Sequence, residues 1–300
     1  NIKTLVLDEF DKSLEIGFEN EMIAILDQLT SVSKKILTSA TETVAIPAYA
    51  QLNDPIHINF LATGSSKLKE QLVVAPRGEK LTALGKLLQH IGQVPGVVFC
   101  NFKDTIGGVA DFLSEQHISF GVFYGGLEQK DREGALIKFR NGTHQLLLAT
   151  DLAARGIDIP EIGFIIHYEL PQREEEYIHR NGRTARMDAK GTAYIIGKKG
   201  QKVPEYLPEV EEIQPQGDRK IQSSEWTTLF ISGGKKDKIS KGDVAGLLIK
   251  QGGLAPYEVG VIEAKLDCTF VAVKKEKAKQ VIQKTNNTRL KKKKVRVNQY

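Results

Sequence analysis

Long apolar runs are missing from this 300-residue sequence. No stretch of about eighteen apolar residues occurs, which excludes a membrane-spanning helix of ordinary length. Cysteine is scarce, with Cys100 and Cys268 far apart. No signal peptide is visible, so the two read as buried thiols of a reducing, cytoplasmic compartment, and a disulfide scaffold is excluded. No Gly-x-x-x-x-Gly-Lys-Ser/Thr string is present, so these residues contain no phosphate-cradling loop of that kind. Tandem repeats are absent, and the low-complexity content is one lysine run at 291–294. The chain opens on Asn1 rather than Met, and residues 2–7 already read as a buried strand, so upstream sequence is expected.

What is present suits about two domains. Apolar residues make up 41% and charged residues 26%, the balance of a soluble globular protein. The net charge of +5 is unevenly placed. Residues 225–300 hold 17 Lys/Arg against 7 Asp/Glu, and the remainder holds 25 against 30. A basic module on a mildly acidic body points to a polyanion partner, most often nucleic acid. The plain alternative is a solvated tail.

Apolar strands alternate with helical spacing through the first two hundred residues, which predicts an α/β fold with parallel sheets. Strands are expected at 2–7, 36–41, 96–100, 119–124, 146–150, 164–168 and 191–196, and helices at 19–29, 104–115 and 128–140. Residues 62–69 read as a linker, and 198–224 as a short helix followed by a linker. From Trp226 the order becomes strand, helix, strand, strand, helix, strand, resembling an RNA-recognition motif. Its strands are expected at 228–232, 260–264, 269–273 and 294–298, and its helices at 243–251 and 276–286. The division expected is 1–61, 68–205, a linker at 206–225, and 226–300.

Four strings carry chemistry. Leu5-Val6-Leu7-Asp8-Glu9 ends an apolar strand in two acids. A nucleotide site needs a carboxylate for Mg²⁺, usually held through water, and a group to orient the attacking water. Adjacent Asp and Glu can divide these tasks, although acids after a strand also cap helices. The hydroxyls of Ser39-Ala40-Thr41 can join such a site to its surroundings or simply close a turn. In Ala149-Thr150-Asp151-Leu152-Ala153-Ala154-Arg155-Gly156-Ile157-Asp158, small residues allow close backbone approach to phosphate. Thr150 can donate to phosphate, and Asp158 can accept from a ribose hydroxyl. In His179-Arg180-Asn181-Gly182-Arg183-Thr184-Ala185-Arg186, Arg183 and Arg186 are three apart. At helix spacing they share a face and suit a phosphoryl-transfer transition state. The competing reading is a surface helix paired with Glu174 to Glu176.

These strings, in this order and spacing, resemble the DEAD-box RNA helicases over about residues 1–200. Tyr124-Gly125-Gly126 with Gln129 and Arg132, and Val97-Val98-Phe99-Cys100-Asn101, match the same family. The resemblance implies two RecA-like domains, the first partial here, closing over ATP and single-stranded RNA. It implies that Asp8 binds Mg²⁺ through water and that Glu9 positions the hydrolytic water. Ser39, Thr41 and His179 would couple hydrolysis to RNA. Gln129, Arg132, Thr150 and Gly156 would serve the RNA backbone, Asp158 the ribose of ATP, and Arg183 and Arg186 would be arginine fingers. The naming motif reads Asp8-Glu9-Phe10-Asp11, with Phe where Ala is usual, so packing beneath the site must differ. Asn181 and Ala185 also depart from the commonest pattern. Without a phosphate-binding loop, the chain as given is expected not to turn over ATP alone.

Residues 226–300 resemble the C-terminal domain of DbpA-type bacterial helicases. The carriers are Gly233-Gly234-Lys235-Lys236-Asp237-Lys238-Ile239 and Asn286-Asn287-Thr288-Arg289-Leu290-Lys291. This implies binding of a ribosomal RNA hairpin during large-subunit assembly by a monomer. Lys235, Lys236, Lys238, Lys241, Arg289 and Lys291 are the expected RNA contacts. Cys268-Thr269-Phe270-Val271-Ala272-Val273 lacks the usual set of stacking aromatics, so basic loops rather than the sheet are the expected contact surface. Two further classes remain open: a non-catalytic RNA binder, and a DNA helicase of the wider superfamily, which nucleic-acid stimulation of ATPase would separate.

Overall fold

The computed structural model describes residues 2–10, 19–39, 46, 48–52, 54–60, 68–151, 162–184, 191–200, 202, 204–207, 209–217, 221 and 224–300. The chain divides into two compact units: residues 1–66 with 173–179, and residues 67–172 with 180–300. Among the described residues, no helix is long and apolar enough to cross a membrane.

In the first unit, β1 (Thr4–Leu7) and β2 (Lys34–Leu37) pair in parallel, with α1 (Glu19–Gln28) between them in sequence. The strand expected at 36–41 therefore starts earlier and ends at Leu37. Beyond it the chain turns to bond across the pair: Thr38 N donates to Leu7 O at 3.0 Å, and Phe10 N donates to Thr38 O at 3.0 Å.

The second unit is built on a parallel sheet of seven strands. They are β3 (Leu68–Ala75), β4 (Gly96–Phe99), β5 (Phe120–Phe123), β6 (Leu146–Ala149), β7 (Phe164–His167), β8 (Gly191–Lys198) and β9 (Glu211–Glu212), in the order β5-β6-β4-β7-β8-β3-β9. The central strands β4, β6 and β7 are buried at every residue, as parallel strands covered on both faces must be. Their alternate side chains feed two cores. Val98, Leu148 and Ile166 pack with Leu84 and Leu87 of α2 (Lys80–Ile91) and with Val109 and Leu113 of α3 (Lys103–Glu115). On the other face, Val97, Leu147 and Ile165 join Phe139 of α4 (Gln129–Arg140). Each such side chain contributes about 1.5–3 kcal/mol by burial. Strand β3 and helix α2 were not foreseen, while the short helix expected in 198–224 is absent among the described residues. Cys100, just after β4, is fully buried, and burial pushes its thiol up to about 12; Cys268 is only half-buried, contrary to expectation.

The C-terminal part carries β10 (Trp226–Ile231), α6 (Lys241–Gly246) running on into a π-helical turn (Leu247–Gln251), β11 (Val259–Ala264), β12 (Thr269–Lys274) and α7 (Ala278–Thr285). A hairpin of β13 (Thr288–Leu290) and β14 (Lys293–Val295) follows, then β15 (Val297–Gln299). The sheet order is β11-β12-β10-β15, all antiparallel. The single strand expected at 294–298 is split at Arg296: Lys293–Val295 pairs in the hairpin that Lys291 turns at φ +54°, and Val297–Gln299 pairs in the sheet. One sheet face packs Leu229, Ile231, Val271 and Val273 against Val244, Leu248 and Val281 of the helical segments.

The other face lies on α4. Arg140 Nη2 donates to both carboxylate oxygens of Glu263, at 2.9 and 3.1 Å. Lys265 Nζ bridges Glu133 and Glu263, each at 2.7 Å. Asn141 Nδ2 donates to Thr228 Oγ1 at 2.8 Å. Tyr300 lies over Gly134, where a Cβ would come within 2.6 Å of the phenol oxygen, so any larger residue there would push the ring aside. Lys138 Nζ sits 4.8 Å from the Tyr300 ring centre.

Candidate functional site

The carboxyl ends of β4, β6 and β7 meet at one side chain. Arg180, near the end of α5 (Glu174–Asn181), is 1% exposed. Its Nε and Nη2 donate to the two oxygens of Asp151, each at 2.6 Å. Nη1 donates to Glu169 O at 2.6 Å, and Nη2 also to Asn101 Oδ1 at 2.8 Å. The guanidinium lies 5.1 Å from the Phe99 ring centre. A planar fork is the cation that can satisfy a carboxylate bidentately and keep donors for two more acceptors. Beside it, His167 is fully buried and its Nε2 pairs with Asn181 Oδ1 at 2.9 Å. Burial, then the Arg180 charge, pulls its pKa down to about 3, so the ring is neutral.

The neighbouring candidates each have anchors of their own. Thr150 precedes Asp151, and its N donates to Phe123 O at 3.3 Å. That bond sets Thr150 beside the end of β5, from which Tyr124-Gly125-Gly126 leads to α4. Gln129 and Arg132 share the first turn of α4, with Arg132 Nη2 donating to Gln129 Oε1 at 2.7 Å. Arg183 follows Arg180 in a turn, its N donating to Arg180 O at 3.1 Å, and is 8% exposed. Thr184 Oγ1 donates to Ile162 O at 2.6 Å and anchors the end of that turn. His179 lies on α5.

In the first unit, Asp8 and Glu9 follow β1 directly. Glu9 holds φ +50°, a left-handed conformation rare for its type, and Glu9 N donates to Asp8 Oδ1 at 3.2 Å. Thr38 Oγ1 donates to the same oxygen at 2.5 Å. Thr38, one position before the string singled out from sequence, is thus a residue that touches Asp8; Ser39 is next. Phe10 is 8% exposed, so the aromatic ring at this unusual position is packed away. Asp8 itself is exposed, and with Oδ1 engaged, Oδ2 is the oxygen suited to a hydrated cation. Among the described residues no three His, Cys, Asp or Glu cluster as a dehydrating metal site would require. Thr41, Gly156, Asp158 and Arg186 lie outside the described residues.

At the C-terminal sheet, the two basic segments are neighbours. Lys293 Nζ contacts Asp237 Oδ2 at 2.8 Å, and Lys291 Nζ contacts Asp243 Oδ2 at 2.7 Å. The Lys291 contact, then the Ser240 bonds, hold Asp243 down at about 2. Lys236 pairs with Asp267. All six expected contacts, Lys235, Lys236, Lys238, Lys241, Arg289 and Lys291, are exposed, and Lys236 and Lys291 already have carboxylate partners. The sheet is also less bare than its sequence implied. Phe230 and Phe270 meet edge-on at 5.7 Å, and Phe270 and Tyr300 at 4.7 Å. These aromatics come from three parts of the sequence, and Tyr300 packs against α4.

Sequence comparison finds a Helicase conserved C-terminal domain at residues 79–188 and a DbpA RNA binding domain at 228–299. The ATP-dependent RNA helicase DbpA of Escherichia coli is 32% identical over 308 residues, covering 99% of this chain and 67% of the relative. The DbpA of Bacillus subtilis is 30% identical over 330 residues, covering 98% and 68%. The chain belongs to the DbpA-type DEAD-box RNA helicases. Among solved structures, Saccharomyces cerevisiae Dbp5 bound to RNA and ADP BeF3 matches with a TM-score of 0.60 at 22% identity. It covers 71% of this chain and 59% of that one, a likeness of fold. As a DbpA-type helicase, the chain couples a parallel-sheet helicase domain to a separate antiparallel-sheet domain. Sequence reasoning missed the role of Arg180 in joining the two sharpest motifs of that helicase domain, because a buried fork looks like any other motif arginine.

Proposed function

We propose that this chain works in an ATP-dependent RNA helicase that separates short duplexes locally, directed to a ribosomal RNA hairpin during large-subunit assembly. The observation that carries this is the Arg180 hub, which bonds the segment after Thr150 to the Arg183 turn at the carboxyl edge of a parallel sheet, where ligands of such sheets bind.

On this reading Gln129, Arg132, Thr150 and Gly156 grip the RNA backbone. Arg183 and Arg186 stabilise charge on the transferred phosphoryl group, and Asp158 takes the ribose of ATP. Asp8 holds Mg²⁺ through water, Glu9 orients the attacking water, and Ser39, Thr41 and His179 relay the outcome. Magnesium supplies charge neutralisation on the phosphates. The Thr38 bond to Asp8 fixes that carboxylate and belongs to the same relay. The exposed Lys235, Lys238, Lys241 and Arg289 take hairpin phosphates, and Lys236 and Lys291 exchange their carboxylates for phosphate, since exposed ion pairs are worth only about 0–1 kcal/mol.

In the full-length protein, Arg183→Ala should lower RNA-stimulated ATP turnover by roughly 10³-fold, the scale of an arginine finger, while RNA affinity stays within about threefold. Steady-state turnover and fluorescence anisotropy measure the two. Turnover at the wild-type rate would refute the assignment.

A further inference from the structure

Among its described residues, the segment that joins the two parts of the second unit is held at four places. β9 adds to the sheet edge, pairing Glu211 with Gln71 and Glu212 with Leu72, and Ile213 N donates to Leu72 O at 2.8 Å. Gln71 Nε2 donates to Glu211 Oε2 at 3.0 Å. Gly217 runs so close to α2 that a Cβ would lie 3.1 Å from Lys86 Cα and 2.7 Å from Gln89 Oε1. Ile221 packs on the apolar core and lines a small cavity with Leu88, Val94, Ile118 and Leu146. Ser224 Oγ donates to Gly142 O at 2.5 Å and accepts from Trp226 N at 3.1 Å.

A free tether of this length would wander by roughly 20 Å. The ion pairs on α4 are partly exposed and screened by salt, which leaves placement to the Asn141–Thr228 bond, the Tyr300 ring and the tether. Fastening the tether along the lobe leaves almost no slack before β10 and raises the effective concentration of the docking face.

We propose that Glu211–Gly217, Ile221 and Ser224 act as the anchors of a strap that sets the register of the C-terminal domain on α4. The strap thereby holds that domain's basic loops at a fixed distance and bearing from Gln129, Arg132 and Thr150. The last clause rests on the RNA contacts proposed above; the strap itself does not.

The test is the distance distribution between spin labels at Ser114→Cys and Lys279→Cys, both exposed sites, in the full chain carrying Cys268→Ser. With the natural strap, one narrow distance is expected at 0.1 M and at 0.5 M salt. Ile221→Asp should broaden it toward roughly 20 Å of spread, most at high salt. Gly217→Val perturbs the strap from outside the apolar core and should do the same with the lobe's melting unchanged. A distribution that stays narrow in Gly217→Val at 0.5 M salt overturns the proposal. No RNA enters these distances, so failure of the RNA assignments leaves them as they are. Conversely, a narrow distance in the variants sinks the strap even where hairpin RNA binds as proposed.

Discussion

Replacing Arg180 with alanine would leave the Asp151 carboxylate, the Asn101 amide oxygen and the Glu169 carbonyl facing a side-chain-sized void. Breaking one partner of a buried, hydrogen-bonded ion pair costs about 3–5 kcal/mol. For a body of this size that lowers the melting temperature by roughly 10 °C. Arg180→Lys should recover only part, because an ammonium has no planar fork for Asp151. Thermal unfolding followed by circular dichroism checks both, and an unchanged melting point for the alanine variant would show that the fork holds nothing in place. The motif was legible at this scale, and its partner was not. Three acceptors from three strands converge on Arg180 only after β4, β6 and β7 are aligned. Thr38 escaped notice for a similar reason: its bond to Asp8 follows from the parallel register of β1 with β2, which no local string encodes.

Among elements, α4 has two tasks along its length. Its first turn presents Gln129 and Arg132, while Glu133, Gly134, Lys138 and Arg140 receive the C-terminal sheet. Charge reversal separates the docking task. Arg140→Glu and Glu263→Arg should each lower stability against urea, and the two together should regain about 1 kcal/mol relative to their sum. A strictly additive pair would mean that the bridge contributes nothing. The elements themselves were mostly readable. Continuous apolar runs gave the buried strands, and 3.6-residue spacing gave α3, α4 and α7. Leu68–Ala75 escaped because Lys69 and Glu70 break its apolar run, and the edge strand β9 is two acidic residues with no strand signal at all. The aromatic face escaped because Phe230, Phe270 and Tyr300 are far apart in sequence and become one patch only through the order β12-β10-β15.

Across the whole molecule, charge and architecture divide together. The basic residues 225–300 sit on a body with an acidic surplus. In the full-length protein, deleting 225–300 should flatten the slope of log affinity against log salt for hairpin RNA, since every phosphate left unneutralised takes nearly one unit from it. The proposed preference for a ribosomal hairpin over generic RNA should vanish, with ATP turnover on excess generic RNA retained. Filter binding across a salt series reads the first, and competition with unrelated RNA the second. An unchanged slope would move the polyanion site off this domain. Overall charge placement was plain from composition, whereas the neutralisation of Lys236 and Lys291 by carboxylates was visible only in the fold. The two thiols give the molecule a built-in reporter. Cys100 is sealed whereas Cys268 is only half-buried, so of these two a maleimide dye reaches Cys268, slowly because burial and then the Glu133 charge push its thiol up, two residues from Phe270. The unmodified protein can therefore be made to signal, by a change in dye emission, whenever its C-terminal sheet lifts from α4.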